Sequence, residues 1–322
     1  DLPVETFETY FPPQIISVQG LVRGTANFRF QEDVIKVFDA NLVSEKGIVE
    51  FGLPAGEKQK LNYQQLEASI THNNKGISVV SKVDLRETGK VDIQGTLKNK
   101  HILSEIDGSQ LIEGRVVVDL KNLTVLPLMF PDIQYIDGHK YSEYIISGSI
   151  GNPAIVGRSD IAAKSITLPR LGIELKDVKA AARTDKNNNI KVTGEASSGV
   201  GRIVFRGEML NYLGADLLAK LYIEGNNFLA TKTPEFEMEI SPKVTTLVNN
   251  DVMRMEGEIT IPRAKIQMIQ SASMVSPSTD VVIVDADLPT EKASKRLALD
   301  AELKINLGNE VSIEGFGAVS YT

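Results

Sequence analysis

Strict alternation of apolar and polar residues constrains this chain more than any other feature. From Leu297 to Leu307 one set of positions reads Leu297, Leu299, Ala301, Leu303, Ile305 and Leu307. The intervening set reads Ala298, Asp300, Glu302, Lys304 and Asn306. A period of two sends successive side chains to opposite faces of a strand, whereas a helical stripe repeats near 3.6. Met253, Met255, Ile259 and Ile261 follow the same rule, with Arg254, Glu256, Glu258 and Thr260 between them. Phe236, Met238 and Ile240 alternate with Glu235, Glu237 and Glu239, and Leu66, Ala68 and Ile70 with polar neighbours. Ile77, Val79, Val83 and Leu85 continue the pattern.

Turn chemistry separates these runs. His72 to Gly76, Asp185 to Asn189, Asn249 to Asp251 and Gly308 to Glu310 read as hairpin connections, because Asn, Asp and Gly tolerate the positive φ of tight turns. Roughly eighteen short strands follow, so the fold class is all-β. Ser271 to Thr279 and Ala286 to Ser294 read as linkers.

Glycine recurs in mid-strand, on the apolar side, in the pattern apolar-x-Gly. Examples are Ile93-x-Gly95, Ile112-x-Gly114, Ile146-x-Gly148, Val192-x-Gly194, Phe205-x-Gly207, Ile223-x-Gly225, Met255-x-Gly257 and Ile313-x-Gly315. Glycine weakens a strand, so its recurrence needs a reason. Either it bends the strand toward the apolar side or leaves room there, or it ends short strands at turns. Alternation resuming at Leu97, Met209 and Ile259 favours the first.

A long-range echo divides the chain. Asp1-Leu2, Phe11-Pro12 and Val18-Gln19-Gly20 return as Asp119-Leu120, Phe130-Pro131 and Ile136-Asp137-Gly138. Each copy holds a short amphipathic stretch, Val4, Phe7, Tyr10 and Phe11 in one and Leu123, Leu126, Met129 and Phe130 in the other. The expectation is one continuous array over 1–322, with sub-units 1–118 and 119–322 that each open with a short helical plug, near 3–11 and 122–130.

Several function classes fall away. The chain is 42% hydrophobic and 24% charged, which fits a folded protein. A net charge of −7 disfavours nucleic acid and non-specific adsorption to anionic lipid heads, and says nothing about lipid tails. It has no Cys, hence no thiol chemistry or disulfide. His72, His101 and His139 read as solvated surface imidazoles and not as metal ligands. Asp280, Asp285 and Asp287 read as strand-end carboxylates. Gly199-Val200-Gly201 precedes a strand and not a helix, so no dinucleotide turn is expected. No catalytic residue, metal or cofactor is expected. The chain has no starting Met and stops at Tyr321-Thr322 within a strand-like run, so it reads as a piece of something longer, with any membrane anchor outside it.

One-faced strands must have that face covered. Packed sheet on sheet, they make a sandwich or closed barrel. Curled into an open trough, they leave a large apolar strip that needs a ligand. With aromatics at 6% and no Trp, aliphatic walls suit flexible acyl chains better than sugars. The residues alone leave both architectures open. The positions expected to line the apolar side are Leu66, Ile70, Ile77, Val79, Ile93, Leu97, Ile203, Phe205, Met209, Phe236, Met238, Ile240, Met253, Met255, Ile259, Ile261, Leu297, Leu299, Leu303, Ile305, Val311 and Ile313.

Ordered short motifs carry a family resemblance. They are Asp119-Leu120 to Phe130-Pro131, Ser147 to Pro153, Leu168 to Ile173, Ser197 to Gly201, Pro234-Glu235, Ser241-Pro242, Gly257 to Ile266, Asp280 to Val284 and Glu314 to Gly317. From about Leu61 onward the chain resembles the conserved C-terminal region of the TamB family, relatives of AsmA. The resemblance implies an elongated, curled single-sheet U-shaped groove, a β-taco, on a protein held in the bacterial inner membrane by an N-terminal helix and spanning the periplasm. It implies phospholipid movement between the membranes and assembly of outer-membrane proteins and autotransporters with the barrel partner TamA. Phospholipid acyl chains and nascent outer-membrane proteins are the implied partners. The N-terminal anchor and the final segment expected to dock on TamA are not matched, and the loop near Ser276 to Thr279 is slightly longer than the family pattern. Strands ~4.8 Å apart would give a ramp on the order of 85 Å.

Overall fold

The computed structural model describes residues 2–3, 15–31, 34–52, 58–73, 76–98, 107–124, 126–128, 130, 132–214, 217–267, 298–315 and 318–321. Nineteen strands in these segments join one sheet. They are β1 (Leu2–Pro3), β2 (Ile15–Gln19), β3 (Leu21–Gln31), β4 (Val34–Gly52), β5 (Lys58–Asn73), β6 (Gly76–Asp84), β7 (Gly89–Leu97), β8 (Ile112–Leu120), β9 (Tyr135–Ser149) and β10 (Asn152–Leu168). Then come β11 (Ile173–Thr184), β12 (Ile190–Ser198), β13 (Gly201–Leu210), β14 (Leu218–Asn226), β15 (Phe228–Lys232), β16 (Phe236–Asn249), β17 (Val252–Gln267), β18 (Ala298–Gly315) and β19 (Ala318–Tyr321).

From β3 to β14 each strand pairs antiparallel with the next, as a ladder of hairpins and short connections. Turn side chains hold the hairpins. In the β11–β12 turn the Asp185 carboxylate accepts from the Asn187 and Asn189 amides at 2.8 and 3.1 Å. Asn188 takes φ 56° there, and its side chain pairs with the backbone of the neighbouring β10, donating to Pro153 O at 2.8 Å and accepting from Ile155 N at 3.1 Å. Two rungs are each built from two strands end to end: β2 and β3 both lie against β4, and β14 and β15 against β16. No pairing among the described residues joins the β3 end of the sheet to the β18–β19 end, so the sheet is open.

Exposed apolar side chains agree with an unclosed sheet: Ile93 on β7 and Leu299 and Ile305 on β18 are 40%, 67% and 60% exposed. Fourteen apolar residues are buried among those described, and eight of them gather in one place. Val18, Tyr63, Leu85, Leu120, Leu123, Ile136, Ala163 and Ile166 form a single cluster, with Leu126, Ile133, Leu168 and Leu175 packed against it.

Two expectations change here. The helix expected over 122–130 is a single 3-10 turn, Leu126–Leu128. Pro127 and Pro131 remove amide donors from this stretch, and Leu123, with 0% exposure, draws the chain into the buried row. The first helix, expected near 3–11, begins at a residue that belongs to β1, and 4–14 lie outside the described residues. The hairpin expected at Gly308 to Glu310 is absent: these residues lie inside β18, where the register slips between Ile261 and Arg263 of its neighbour. A bulge uses the same turn-prone residues as a hairpin. β17 and β18 also pair in parallel, so the chain returns to the starting end of β17 before β18 begins. The linkers expected at 271–279 and 286–294 fall outside the described residues, as do His101 and Asp280, Asp285 and Asp287.

Candidate functional site: an apolar sheet face with one covered rim

Paired residues share a face of the sheet, so the register sorts every strand. Val83 faces Val91, which faces Val118. Ile146 faces Ile155, and Ile161 faces Ala180. Val192, Gly207 and Leu221 form one row, and Phe205, Ile223 and Val244 the next. Met255 and Ala301, then Ile259 and Ile305, carry the row onto β18. The opposite face holds Lys82, Asp92, Arg115, Glu143, Arg158, Asp160, Arg183, Lys191, Glu208 and Lys220 in the same registers.

The positions singled out in the sequence follow this sorting. Leu66 faces Val83, Ile70 faces Val79, Ile77 faces Leu97, and Ile93 faces Val116. Ile203 faces Ala196, Met209 faces Ile190, Phe236 faces Ile266 and Met238 faces Ala264. Ile240 faces Phe228, Met253 faces Leu299, Gly257 faces Leu303, Ile261 faces Leu307, Val311 faces Ala264 and Ile313 faces Ile266. Leu297 lies outside the described residues. On β18 this apolar side is open to solvent, with Leu299 67% and Ile305 60% exposed, while on β8 to β14 it is half-buried.

One rim of the face is folded over. The chain between β8 and β9 brings Leu123, Leu126 and Ile133 onto the buried row. Further along, β15 crosses the ends of β11, β12 and β13. Ser198 Oγ donates to Leu229 O at 2.7 Å, and Thr231 Oγ1 to Leu171 O at 3.1 Å. Gly172, at φ 66°, passes so close to the Lys232 carbonyl that a Cβ would stand 1.8 Å from it. Phe228 is buried beneath this crossing.

The mid-strand glycines make room, and their neighbours use it unequally. A Cβ on Gly194 would lie 2.3 Å from Cζ of Phe205, whose ring covers the site. On Gly95 the nearest atom would be 3.9 Å away, so that position is open. Gly257 takes φ 146°, a backbone conformation closed to other residues.

The polar face is a lattice of cross-strand ion pairs. Arg115 donates to Glu143 through Nε at 3.0 Å and Nη2 at 2.7 Å, and this bond holds the Glu143 carboxyl below its ordinary range. Lys179 and then Arg202 do the same for Glu195. Exposed pairs of this kind add little stability each; they keep this face wet. An open depression of about 500 Å³ lined by His139, Tyr141, Lys179, Thr193 and Glu195 lies on this side.

His72 is a correction. It was expected to be a solvated turn residue, yet it is 1% exposed, sits on the apolar face opposite Ile77, and neither ring nitrogen has a partner. Its place at the end of β5, beside turn residues, hid its side: it continues the even positions Leu66, Ala68 and Ile70. Sequence reasoning also passed over β9, where Lys140, Ser142 and Tyr144 occupy the apolar side. These residues break the apolar period, so no pattern marked them.

A long, unclosed sheet with one aliphatic face and a folded-over rim defines an open β-groove protein. Residues 194–321 match the model of the TamB C-terminal domain family. The chain is also similar to the translocation and assembly module subunit TamB of Haemophilus influenzae, with 22% identity over 286 residues, covering 80% of this chain and 21% of that protein. It thus spans about a fifth of the length of the curated relative it matches. No solved structure matches it. The two matches agree with the ordered motifs, and together they support a TamB segment.

Proposed function

We infer that this chain is a stretch of a TamB-type groove that serves, without catalysis, in the translocation and assembly module of the bacterial envelope. In this reading its apolar side conducts phospholipid acyl chains across the periplasm between the inner and outer membranes. The whole protein, anchored in the inner membrane by an N-terminal helix, supports outer-membrane protein and autotransporter assembly with TamA.

The observation that supports the reading is a continuous apolar face, exposed at Val79 and Ile93 toward one end and at Phe236, Leu299 and Ile305 toward the other, and half-buried on the strands between. Covering apolar surface is worth about 25 cal/mol per Å², so such a face gains from any flexible apolar occupant. Photo-crosslinking side chains placed at Phe205, Ile259 or Leu303 should capture phospholipid in cells, and those at Glu258 or Glu302 should not. Equal capture from both faces removes support for the conduit.

The edge of β18 favours a second reading. β19 pairs only with Ser312 to Gly315, so the outer edge of β18 from Ala298 to Val311 meets no described strand. An open edge can extend a client hairpin by strand addition. Crosslinks from this edge to nascent barrel proteins would support templating, and their absence in client-loaded cells would count against it.

A further inference from the structure

One side chain does not belong on the aliphatic face. In the register of β6 to β14 and of β16 to β18, every other described residue on that side is apolar, glycine or uncharged. The exception is Lys140, which lies between Leu120 on β8 and Ile161 on β10. It is half-buried. Among the described residues no hydrogen bond or ion pair reaches its ammonium, unlike the lysines of the polar face such as Lys98 and Lys179.

Its surroundings form a small polar island. Next along the same side of β9 is Ser142, 2% exposed, whose hydroxyl pairs with that of Ser159 on β10 at 2.8 Å. Tyr144 follows on the same side, over Gly157, where a Cβ would stand 2.7 Å from the tyrosine ring. One cation, beside a buried hydroxyl pair, therefore faces a stretch that is aliphatic in both directions.

The geometry points to Lys140, next to the Ser142–Ser159 pair, as a station for the anionic phosphate of a lipid lying in the groove. This rests on the conduit reading. In the empty groove, water hydrates the ammonium. When acyl chains displace that water, no carboxylate among the described residues of that face replaces it, and an uncompensated charge in apolar surroundings is costly. A phosphate arriving with the chains provides the counter-charge and accepts charge-assisted hydrogen bonds. A lipid without phosphate leaves the ammonium stranded. The rung of β9 thus discriminates by headgroup, while the other rungs select only for apolarity.

Direct binding tests this. The 322-residue chain is titrated with two fluorescent lipids of identical acyl chains, a phosphatidic acid and a diacylglycerol, with inorganic phosphate as a competitor. Wild type is expected to prefer the phosphate lipid by about tenfold, the effect of one hydrogen bond to a charged group. Lys140→Leu should abolish the preference while keeping diacylglycerol binding, and Lys140→Arg should restore it. An unchanged ratio in Lys140→Leu overturns the station but leaves the conduit standing; it is also the result expected if the lysine merely extends its ammonium to the groove mouth. Binding of neither lipid by wild type overturns both. Loss of the phosphate preference to millimolar inorganic phosphate would show a free-ion site and overturn the lipid assignment.

Discussion

Phe205 and Gly194 show how individual residues shape the groove. They face each other across β12 and β13, and the ring occupies the room the glycine leaves. Gly194→Val should lower stability by about 1–3 kcal/mol, the usual range for overpacking a filled site. Phe205→Ala in the same chain should recover part of that loss, and thermal unfolding of the two single variants and the double variant measures the coupling. Gly95, with no atom nearer than 3.9 Å to a new Cβ, is the natural control. At this scale much was legible. Alternation placed Ile259, Ile305 and Phe205 on one side with no structure in hand, because a period of two survives any change of register that keeps the face. His72 and Lys140 were not legible. Each is a polar residue at an apolar position, and composition gives no reason to expect one there.

Elements carry the covered rim, and here sequence and structure part further. Nothing in Phe228 to Lys232 distinguishes β15 from an ordinary short strand, yet it crosses three strand ends to close over the face. Its path depends on Gly172, since a side chain there would strike the Lys232 carbonyl and strain a backbone held at φ 66°. Gly172→Ala should therefore loosen β15 and little else. Hydrogen exchange should accelerate in residues 228–232 while β12 and β13 keep their protection. Loss of protection throughout the sheet would mean that the crossing is part of the global core. The parallel β17–β18 pair was equally hidden, because alternation defines faces but not direction. The stretch 122–130 carried a helical apolar spacing, but its prolines and the pull of Leu123 into the buried row left only one turn of 3-10 helix.

The whole molecule is an open sheet whose two ends differ. Among the described residues, β3 at one end is covered only by the two-residue β1; at the other, β18 is capped over four residues by β19. Sequence alone left a filled sandwich and an open trough both standing, since each needs the same one-faced strands. The unclosed pairing and the partly exposed aliphatic side separate them. Covalent footprinting of the lipid-free chain in solution measures that openness side chain by side chain. Ile93, Leu299 and Ile305 should label readily and Leu123 and Tyr63 should not; added phospholipid should then protect the first group and leave Tyr222 on the polar face unchanged. If Ile93, Leu299 and Ile305 are already protected without lipid, the chain fills its own groove and the account fails.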